Sequence, residues 1–166
     1  MTVAGEVWST WASPVGPLTL IGRDGGIAGL YLDQHRHGIT MASGRPRDDA
    51  YFAAAMSQLA AYFAGELTDF ALVLTPRGTD FQQRVWAALT QIPYGTTTTY
   101  GALAAGLGAP GASRAVGMAN GRNPISIIVP CHRVVGSDGA LRGFGGGVDN
   151  KRWLLDLERA VLGRSV

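Results

Sequence analysis

The chain has 166 residues, of which 46% are hydrophobic, and its formal net charge is +2. This composition supports one folded domain or two small ones, excludes an intrinsically disordered chain, and is only a weak hint of a polyanionic partner. No apolar run is long enough to cross a bilayer, and the N-terminus lacks the order of a signal peptide, so we expect a cytoplasmic protein with no membrane partner.

Strands and turns alternate at the start of the chain. Residues 7–32 predict a meander of three strands separated by turns that are rich in proline and glycine. Residues 34–47 are polar and predict a loop in which His35 and His37 are exposed. Two histidines at alternate positions are half of a metal site, but no cysteine or carboxylate cluster accompanies them, so we expect no metal.

A helix is predicted over residues 50–64, capped by Asp48 or Asp49 and ended by Gly65. Its large apolar side chains recur at helical spacing and are interpreted as core. They are Phe52, Met56, Leu59 and Phe63. Residues 70–74 predict a short strand, and a linker follows it. We therefore predict two domains, residues 1–77 and residues 78–166.

Short helices with small residues follow the linker. Thr79 and Gln82 form a capping-box pattern at the start of one helix. A second cap at Thr99 begins a helix over residues 100–105, and a glycine-containing turn separates it from another helix over residues 112–120. Two short helices joined in this way predict a helix-turn-helix, although many helical hairpins share that pattern.

The second of these helices is almost free of long side chains. Its small residues are Ala112, Ala115, Gly117, Ala119 and Gly121. A glycine inside a helix costs about 1 kcal/mol relative to alanine, so such a face favours a close approach of the backbone to something else. That partner is either another part of the domain or a narrow DNA groove, in which Arg114 would be the one long cationic side chain.

Cys131 is the single cysteine of the sequence, and His132 follows it directly. One cysteine cannot form an internal disulfide, so its chemistry is that of a free thiol in a reducing compartment. The apolar, β-branched residues that begin after Asn123-Pro124 predict a buried strand that ends at Cys131. Neighbouring side chains on a strand point to opposite faces, so thiol and imidazole meet only if the chain bends at Pro130 or a water bridges them.

The last part of the chain combines a loop with a helix. A turn over residues 137–139 precedes a segment, residues 141–147, that is too rich in glycine for the interior of a strand. Asp149 or Asn150 is then expected to cap a final helix over residues 151–162, which carries Glu158.

Together these residues closely resemble the O6-alkylguanine-DNA alkyltransferases, also called methylated-DNA-protein-cysteine methyltransferases. The matching segments are Pro130-Cys131-His132-Arg133-Val134, Arg114-Ala115-Val116-Gly117, Asn123-Pro124, the glycine-rich loop after Phe144 and the helix bearing Glu158. The likeness runs from about Thr79 to Glu158. It implies an α+β fold, in which a small ribonuclease-H-like domain precedes a mostly helical, winged helix-turn-helix-like domain that carries the cysteine.

The resemblance also implies direct DNA repair. The protein would flip an alkylated guanine, or an O4-alkylthymine, out of duplex DNA from the minor-groove side. It would move the alkyl group irreversibly onto its own cysteine, once per molecule. The expected partner is double-stranded DNA containing alkylated guanine. No cofactor and no metal are expected, and the protein is expected to be a monomer in the absence of DNA.

Roles for individual residues follow from the same resemblance. Cys131 would accept the alkyl group, His132 would take the thiol proton through a bridging water, and Glu158 would orient the imidazole. Tyr100 would donate a proton to the departing guanine ring. A lowered pKa or a neighbouring base is what such a thiol needs, because only the thiolate is a good nucleophile.

The resemblance assigns the remaining residues to DNA and to the substrate loop. Arg114 would fill the place of the flipped base, and Asn123 would be the hinge between the recognition helix and the cysteine segment. The residues expected in the minor groove are Ala115, Gly117 and Ala119, and those expected to close over the base are Phe144, Gly145 and Gly146. Some family members have tyrosine at the Phe144 position, so a hydroxyl contact is lost here while ring packing is kept.

Two other functions stay open at this point. A DNA-binding regulator explains the helix-turn-helix and Arg114 but leaves the cysteine, His132 and Glu158 without a role. A cysteine hydrolase explains the Cys131–His132 pair, but it would turn over a thioester or a peptide many times.

Overall fold

The computed structural model describes residues 5–33 and 44–163. It begins with a three-stranded antiparallel sheet in the order β1-β2-β3. These strands are β1 (Glu6–Ser13), β2 (Gly16–Arg23) and β3 (Gly26–Leu32). The predicted meander is therefore confirmed. The predicted exposed histidines, His35 and His37, lie outside the described residues.

One helix packs beside this sheet. A 3₁₀ turn over Ala50–Phe52 leads into α1 (Ala53–Phe63), and Gly65 follows the helix with a φ of 76°. Asp48 supplies the cap, because its Oδ1 accepts a hydrogen bond from the Tyr51 backbone N at 3.1 Å. Of the predicted core stripe, Phe52 and Leu59 are fully buried, whereas Met56 and Phe63 are only partly buried.

The predicted strand over residues 70–74 is wrong. Only an isolated parallel bridge forms, between Leu74 and Ile27. The Ile27 N–H donates to the Val73 carbonyl at 2.8 Å, and the Thr75 N–H donates to the Ile27 carbonyl at 2.8 Å. The Thr75 carbonyl, the next group on this side of the segment, accepts from Arg23 Nη2 at 2.6 Å, so a side chain takes the place of a further ladder bond.

The second part of the chain is mostly helical. Its helices are α2 (Asp80–Leu89), α3 (Tyr100–Gly106), α4 (Ser113–Gly121) and α5 (Val148–Gly163). The two predicted N-caps are confirmed: Thr79 and Gln82 form a reciprocal capping box, and the Thr99 hydroxyl accepts from the Ala102 N–H at 3.1 Å. Helices α3 and α4 pack against each other in the helix-turn-helix arrangement.

The last helix begins three residues earlier than predicted. Asp149 lies in its first turn, and the Asn150 side chain donates to the Gly146 carbonyl at 2.8 Å, so neither residue stands at the N-cap position.

Two short backbone pairings hold the cysteine segment in place. β4 (Thr98–Thr99) pairs in parallel with β5 (Val134–Val135), which brings the start of α3 beside the chain that follows the cysteine. On the other side, Leu30 of β3 donates to the Pro124 carbonyl at 2.8 Å and accepts from the Ser126 N–H at 3.1 Å. The N-terminal sheet therefore touches the cysteine segment directly, and the predicted boundary at residue 77 stays a prediction.

Within residues 5–33 and 44–163, no helix has the length and apolar character that a membrane crossing requires. The cytoplasmic location stays a prediction.

Candidate active site

The segment that leads to Cys131 is a succession of tight turns, so the predicted strand is wrong. Ile127 has a φ of 72°, and the N–H of the next residue donates to the Ser126 carbonyl at 2.8 Å, which makes a γ-turn with positive φ. Pro130 centres a second three-residue turn, in which the Cys131 N–H donates to the Val129 carbonyl at 2.8 Å. A 3₁₀ turn, Cys131–Arg133, follows at once.

Two buried asparagines fix these turns. Asn123 Oδ1 accepts from the Ile125 N–H at 3.0 Å, and its Nδ2 donates to the Val129 carbonyl at 2.9 Å. Asn120 Nδ2 donates to the Cys131 carbonyl at 3.5 Å. Asn120 lies in the last turn of α4 and Asn123 lies two residues beyond its end, so both tie this helix to the cysteine segment. The hinge role of Asn123 stays a prediction.

Cys131 is a poor nucleophile without help. Its side chain is only 3% exposed, and burial raises the pKa of its thiol, while Asn123, Lys151 and Ser126 act in the opposite direction. Ser126 Oγ has no hydrogen-bond partner among residues 5–33 and 44–163, so its proton is free to turn toward a thiolate. A base must still remove the thiol proton at neutral pH.

His132 has the geometry of that base. Its Nε2 lies 2.6 Å from Glu158 Oε2, and both side chains are fully buried. An ionised carboxylate can only accept, so Nε2 carries the hydrogen and the lone pair is on Nδ1. Within the described residues Nδ1 has no hydrogen-bond partner. Burial lowers the pKa of His132 despite the nearby carboxylate, so the imidazole is neutral at pH 7 and able to accept a proton.

Glu158 is held by more groups than the sequence indicated. Arg133 donates through Nε to Oε1 at 2.8 Å and through Nη2 to Oε2 at 3.0 Å, and the Gly95 N–H donates to Oε1 at 3.2 Å. The Tyr62 hydroxyl donates to Oε2 at 2.6 Å. Burial alone would raise the pKa of Glu158, but the bonds from His132 and Arg133 hold it well below its usual range. Glu158 therefore stays ionised and orients the imidazole.

Lys151 is a second buried cation that sequence reasoning missed. Its Nζ donates to the Val134 carbonyl and to the Arg142 carbonyl, each at 2.6 Å, and burial lowers its pKa to about 8. The sequence carried a signal, because Lys151 and Glu158 are seven residues apart on the apolar face of α5. That buried face consists of Lys151, Leu154, Leu155, Glu158 and Val161.

Tyr100 contacts the backbone just before the predicted substrate loop. Its hydroxyl donates to the Arg142 carbonyl at 2.9 Å, and burial raises its pKa, with the charge of Cys131 acting in the same direction. The same carbonyl accepts from Lys151. Gly143 allows the close approach, because a Cβ there would lie 2.6 Å from the Tyr100 oxygen.

The predicted substrate loop borders a cavity of about 390 Å³ between itself and α4. Phe144 lines this cavity, and its ring centroid is 6.5 Å from that of His132 in an edge-to-face arrangement. Gly145 also lines the cavity. Gly146 is buried instead, since a Cβ there would lie 2.7 Å from Leu32.

The exposed face of α4 differs from the predicted set of residues. Arg114 and Ala115 are exposed, and Gly117 is half-buried beside the cavity. Ala119 is buried, so its side chain does not belong to the exposed face of α4 as predicted. Asn123, the predicted hinge, is also buried. Helical periodicity does not distinguish Ala119 from Ala115, because residues four positions apart lie on the same side of a helix. The packing of α4 against the rest of the domain buries one and leaves the other exposed.

Met118 is the residue missing from the predicted face, with 66% of its surface exposed at the edge of the cavity. No group of three or more histidine, cysteine, aspartate or glutamate side chains suited to a metal occurs in the part of the chain that the structure describes.

Two family models match the chain in order. The ribonuclease-like domain of the 6-O-methylguanine DNA methyltransferases matches residues 7–76, and the DNA-binding domain of the same family matches residues 80–160. The predicted architecture is confirmed, with a ribonuclease-like domain of mixed α and β structure followed by a DNA-binding domain.

Relatives support the same family. Methylated-DNA–protein-cysteine methyltransferases from Mycobacterium tuberculosis and Methanosarcina acetivorans are 54% and 48% identical to this chain. The alignments cover 92% of this chain and 92% of the first protein, and 91% of this chain and 97% of the second. The crystal structure of M. tuberculosis OGT in complex with DNA is similar with a TM-score of 0.88 and 52% identity, covering 93% of this chain and 94% of that one. Because the family models and these relatives span most of its length, the protein belongs to the methylated-DNA–protein-cysteine methyltransferase family.

Proposed function

We propose that the protein repairs O6-alkylguanine in duplex DNA by moving the alkyl group onto Cys131, once per molecule. The observation that carries this proposal is the buried Glu158–His132 relay directly after the cysteine. Glu158 fixes the imidazole, and its Nδ1 has no hydrogen-bond partner among residues 5–33 and 44–163. O4-alkylthymine, which also carries its alkyl group on an exocyclic oxygen, is proposed as a second substrate.

The chemistry has three steps. His132 Nδ1 takes the Cys131 proton through a bridging water, and the thiolate attacks the alkyl carbon. The C–S bond forms as the bond between that carbon and O6 breaks, and the bonding electrons stay on the guanine. Tyr100 gives the guanine ring a proton and regains one from solvent, which leaves normal guanine and a thioether. No electron acceptor or metal enters this balance, so activity should survive chelating agents.

Recognition of DNA is assigned to the exposed face of α4. This face carries one cation, Arg114, and two apolar residues, Ala115 and Met118. It therefore has few side chains that are long enough to contact the edges of bases. We propose that this face enters the minor groove and that Arg114 occupies the space left by the flipped base. The cavity beside Gly117 and Phe144 opens on the same side and would receive the base.

Intact-mass analysis tests the proposal. The protein, without added cofactor, is incubated with an excess of duplex oligonucleotide that contains O6-methylguanine, and the Cys131→Ser variant is the matched control. We expect the mass of one methyl group on the protein, located at Cys131, and a plateau at one repaired guanine per molecule. The variant should remain unmodified.

Other outcomes would support other functions. Turnover beyond one equivalent would contradict single use and favour a hydrolase. Binding to one particular DNA sequence without any mass change would favour a regulator. The monomeric state expected without DNA is checked on the same sample by light scattering.

A further inference from the structure

Tyr62 comes from the N-terminal part of the chain yet ends in the active site. It lies on α1, it is fully buried, and its hydroxyl donates to Glu158 Oε2 at 2.6 Å, across 96 positions of sequence. Rings of Phe63, Phe70 and Tyr94 surround it, with centroids 5.3 to 6.3 Å away. The phenol is therefore held in one position and aimed at one oxygen.

That oxygen is the one that orients His132. Glu158 Oε2 accepts from Tyr62 Oη at 2.6 Å, from His132 Nε2 at 2.6 Å and from Arg133 Nη2 at 3.0 Å. Each donor takes up part of the negative charge of the carboxylate. Burial, followed by the charge of Glu158, raises the pKa of Tyr62, so its hydroxyl stays protonated and remains a donor at every pH at which the protein works.

We propose that Tyr62 is a positioning residue for alkyl transfer: by sharing Glu158 Oε2 with His132, it weakens the pull of the carboxylate on the imidazole and keeps His132 neutral and able to accept a proton. This inference rests on the proposed function. It gives the ribonuclease-like domain a part in the chemistry, through a residue that never touches the substrate.

The groups around His132 act in opposite directions on its protonation. Glu158 favours the imidazolium, whereas Arg133 and Lys151 oppose it, as burial does. Helix α2 also packs against the turn that holds His132, but its charged residues Asp80 and Arg84 are exposed on the surface. Removing one neutral donor from Glu158 should therefore shift the protonation of His132 measurably.

The test is the Tyr62→Phe variant, measured by the rate of alkyl transfer from free O6-benzylguanine as a function of pH. The rate should fall in acid as His132 becomes protonated, because an imidazolium cannot take the thiol proton. Without the phenol, Glu158 stabilises the protonated form of His132 more strongly, which raises the pKa of the imidazole. The fall in rate should therefore begin about 0.5–1 pH unit higher than in the parent. Nitrogen chemical shifts of His132 should report the same shift in its pKa without any substrate.

Tyr51→Phe is the matched control, since its hydroxyl donates to the Gly26 carbonyl at 2.9 Å and not to the relay. Both variants lose one hydrogen bond, but only Tyr62→Phe should move the pH profile. Where Tyr62→Phe fails to fold, 3,5-difluorotyrosine at position 62 replaces it. A more acidic phenol donates more strongly, so the profile should then move to lower pH.

An unmoved acid limb in Tyr62→Phe, with His132 titrating as in the parent, would show that Tyr62 only packs. A parent protein that accepts no alkyl group would instead contradict the proposed function. The NMR titration needs no alkyl transfer, so it would still decide the role of Tyr62 in that case.

Discussion

Two charged residues on the buried face of one helix define the active site at the level of single side chains. Glu158 has five hydrogen-bond donors from four residues. Lys151 has two carbonyl partners and no buried carboxylate partner in the part of the chain that the structure describes. An ammonium group that is buried without a carboxylate partner loses its proton more readily than an exposed one.

Lys151 should accordingly titrate near pH 8, where burial places its pKa, rather than near the usual value of about 10.4. It is the single lysine of the sequence, so protein labelled with ¹³C-lysine gives one ε-carbon signal to follow. The same signal in urea-unfolded protein is the control and should titrate near the usual value. Titration near 10 in the folded protein as well would mean that water reaches the ammonium group.

At the level of elements, the substrate loop and α3 are fitted to each other through one glycine. Gly143 has a φ of 72°, and its missing Cβ leaves room for the Tyr100 oxygen. Gly139 has a similar φ of 81°, but a Cβ there would meet nothing within 4 Å. An alanine at either position introduces backbone strain, but only an alanine at position 143 would also meet the Tyr100 oxygen.

Gly143→Ala and Gly139→Ala should both lower the free energy of unfolding by about 1–3 kcal/mol, because each forces a side chain into the left-handed region. Only Gly143→Ala should also slow alkyl transfer, by about tenfold or more, since it displaces the proposed proton donor. Single-turnover rates with free O6-benzylguanine and urea unfolding of both variants provide the measurements. Equal rates in the two variants would remove Tyr100 from the mechanism.

Helix α4 allows a similar separation of DNA handling from chemistry. Arg114 is exposed near its start, and its proposed task concerns only the duplex. Arg114→Ala should slow repair of duplex DNA by about tenfold or more, because unstacking a base costs a few kcal/mol, while transfer from the free base keeps its rate. Arg152→Ala removes another exposed positive charge, from α5, and is the control. Equal losses on both substrates would contradict the role of Arg114.

At the scale of the whole molecule, the product of the reaction should be less stable than the enzyme. Cys131 is almost fully buried inside turns that Asn120 and Asn123 hold in place, so little space is open to an added group. An extra methyl in such a packed site costs about 1–3 kcal/mol. The methylated protein should therefore melt lower by roughly 2–10 °C in calorimetry. Identical melting of the free and methylated forms would show that the site has room for the methyl group.

Elements whose signals lie within a few residues could be predicted from the sequence alone. The Thr79 and Thr99 caps, the three-stranded meander and the helix-turn-helix each depend on residues a few positions apart, and all three are confirmed. The family could also be predicted, because the segments around Cys131 and Arg114 combine specific residues in a fixed order.

The backbone conformation around the cysteine could not be predicted from the sequence, because it depends on contacts made in the folded protein. The apolar, β-branched residues before Cys131 indicated burial correctly, but they fit a buried turn as well as a buried strand. The buried amide of Asn123 selects the turns by bonding to the Ile125 N–H and to the Val129 carbonyl. Apolar residues in a sequence indicate that a segment is buried. They do not indicate which side chains will form hydrogen bonds with its backbone N–H and carbonyl groups.

The partners of Glu158 were likewise decided by the fold. Tyr62 and Gly95 lie far from Glu158 in sequence, and no periodicity within α1 marks one aromatic residue of Tyr62-Phe63 as core and the other as part of a relay. Packing of α1 against α5 brings the phenol within hydrogen-bond distance of the carboxylate. Local patterns determine which residues are buried, whereas hydrogen bonds between buried polar groups depend on contacts that exist only when distant elements have packed together.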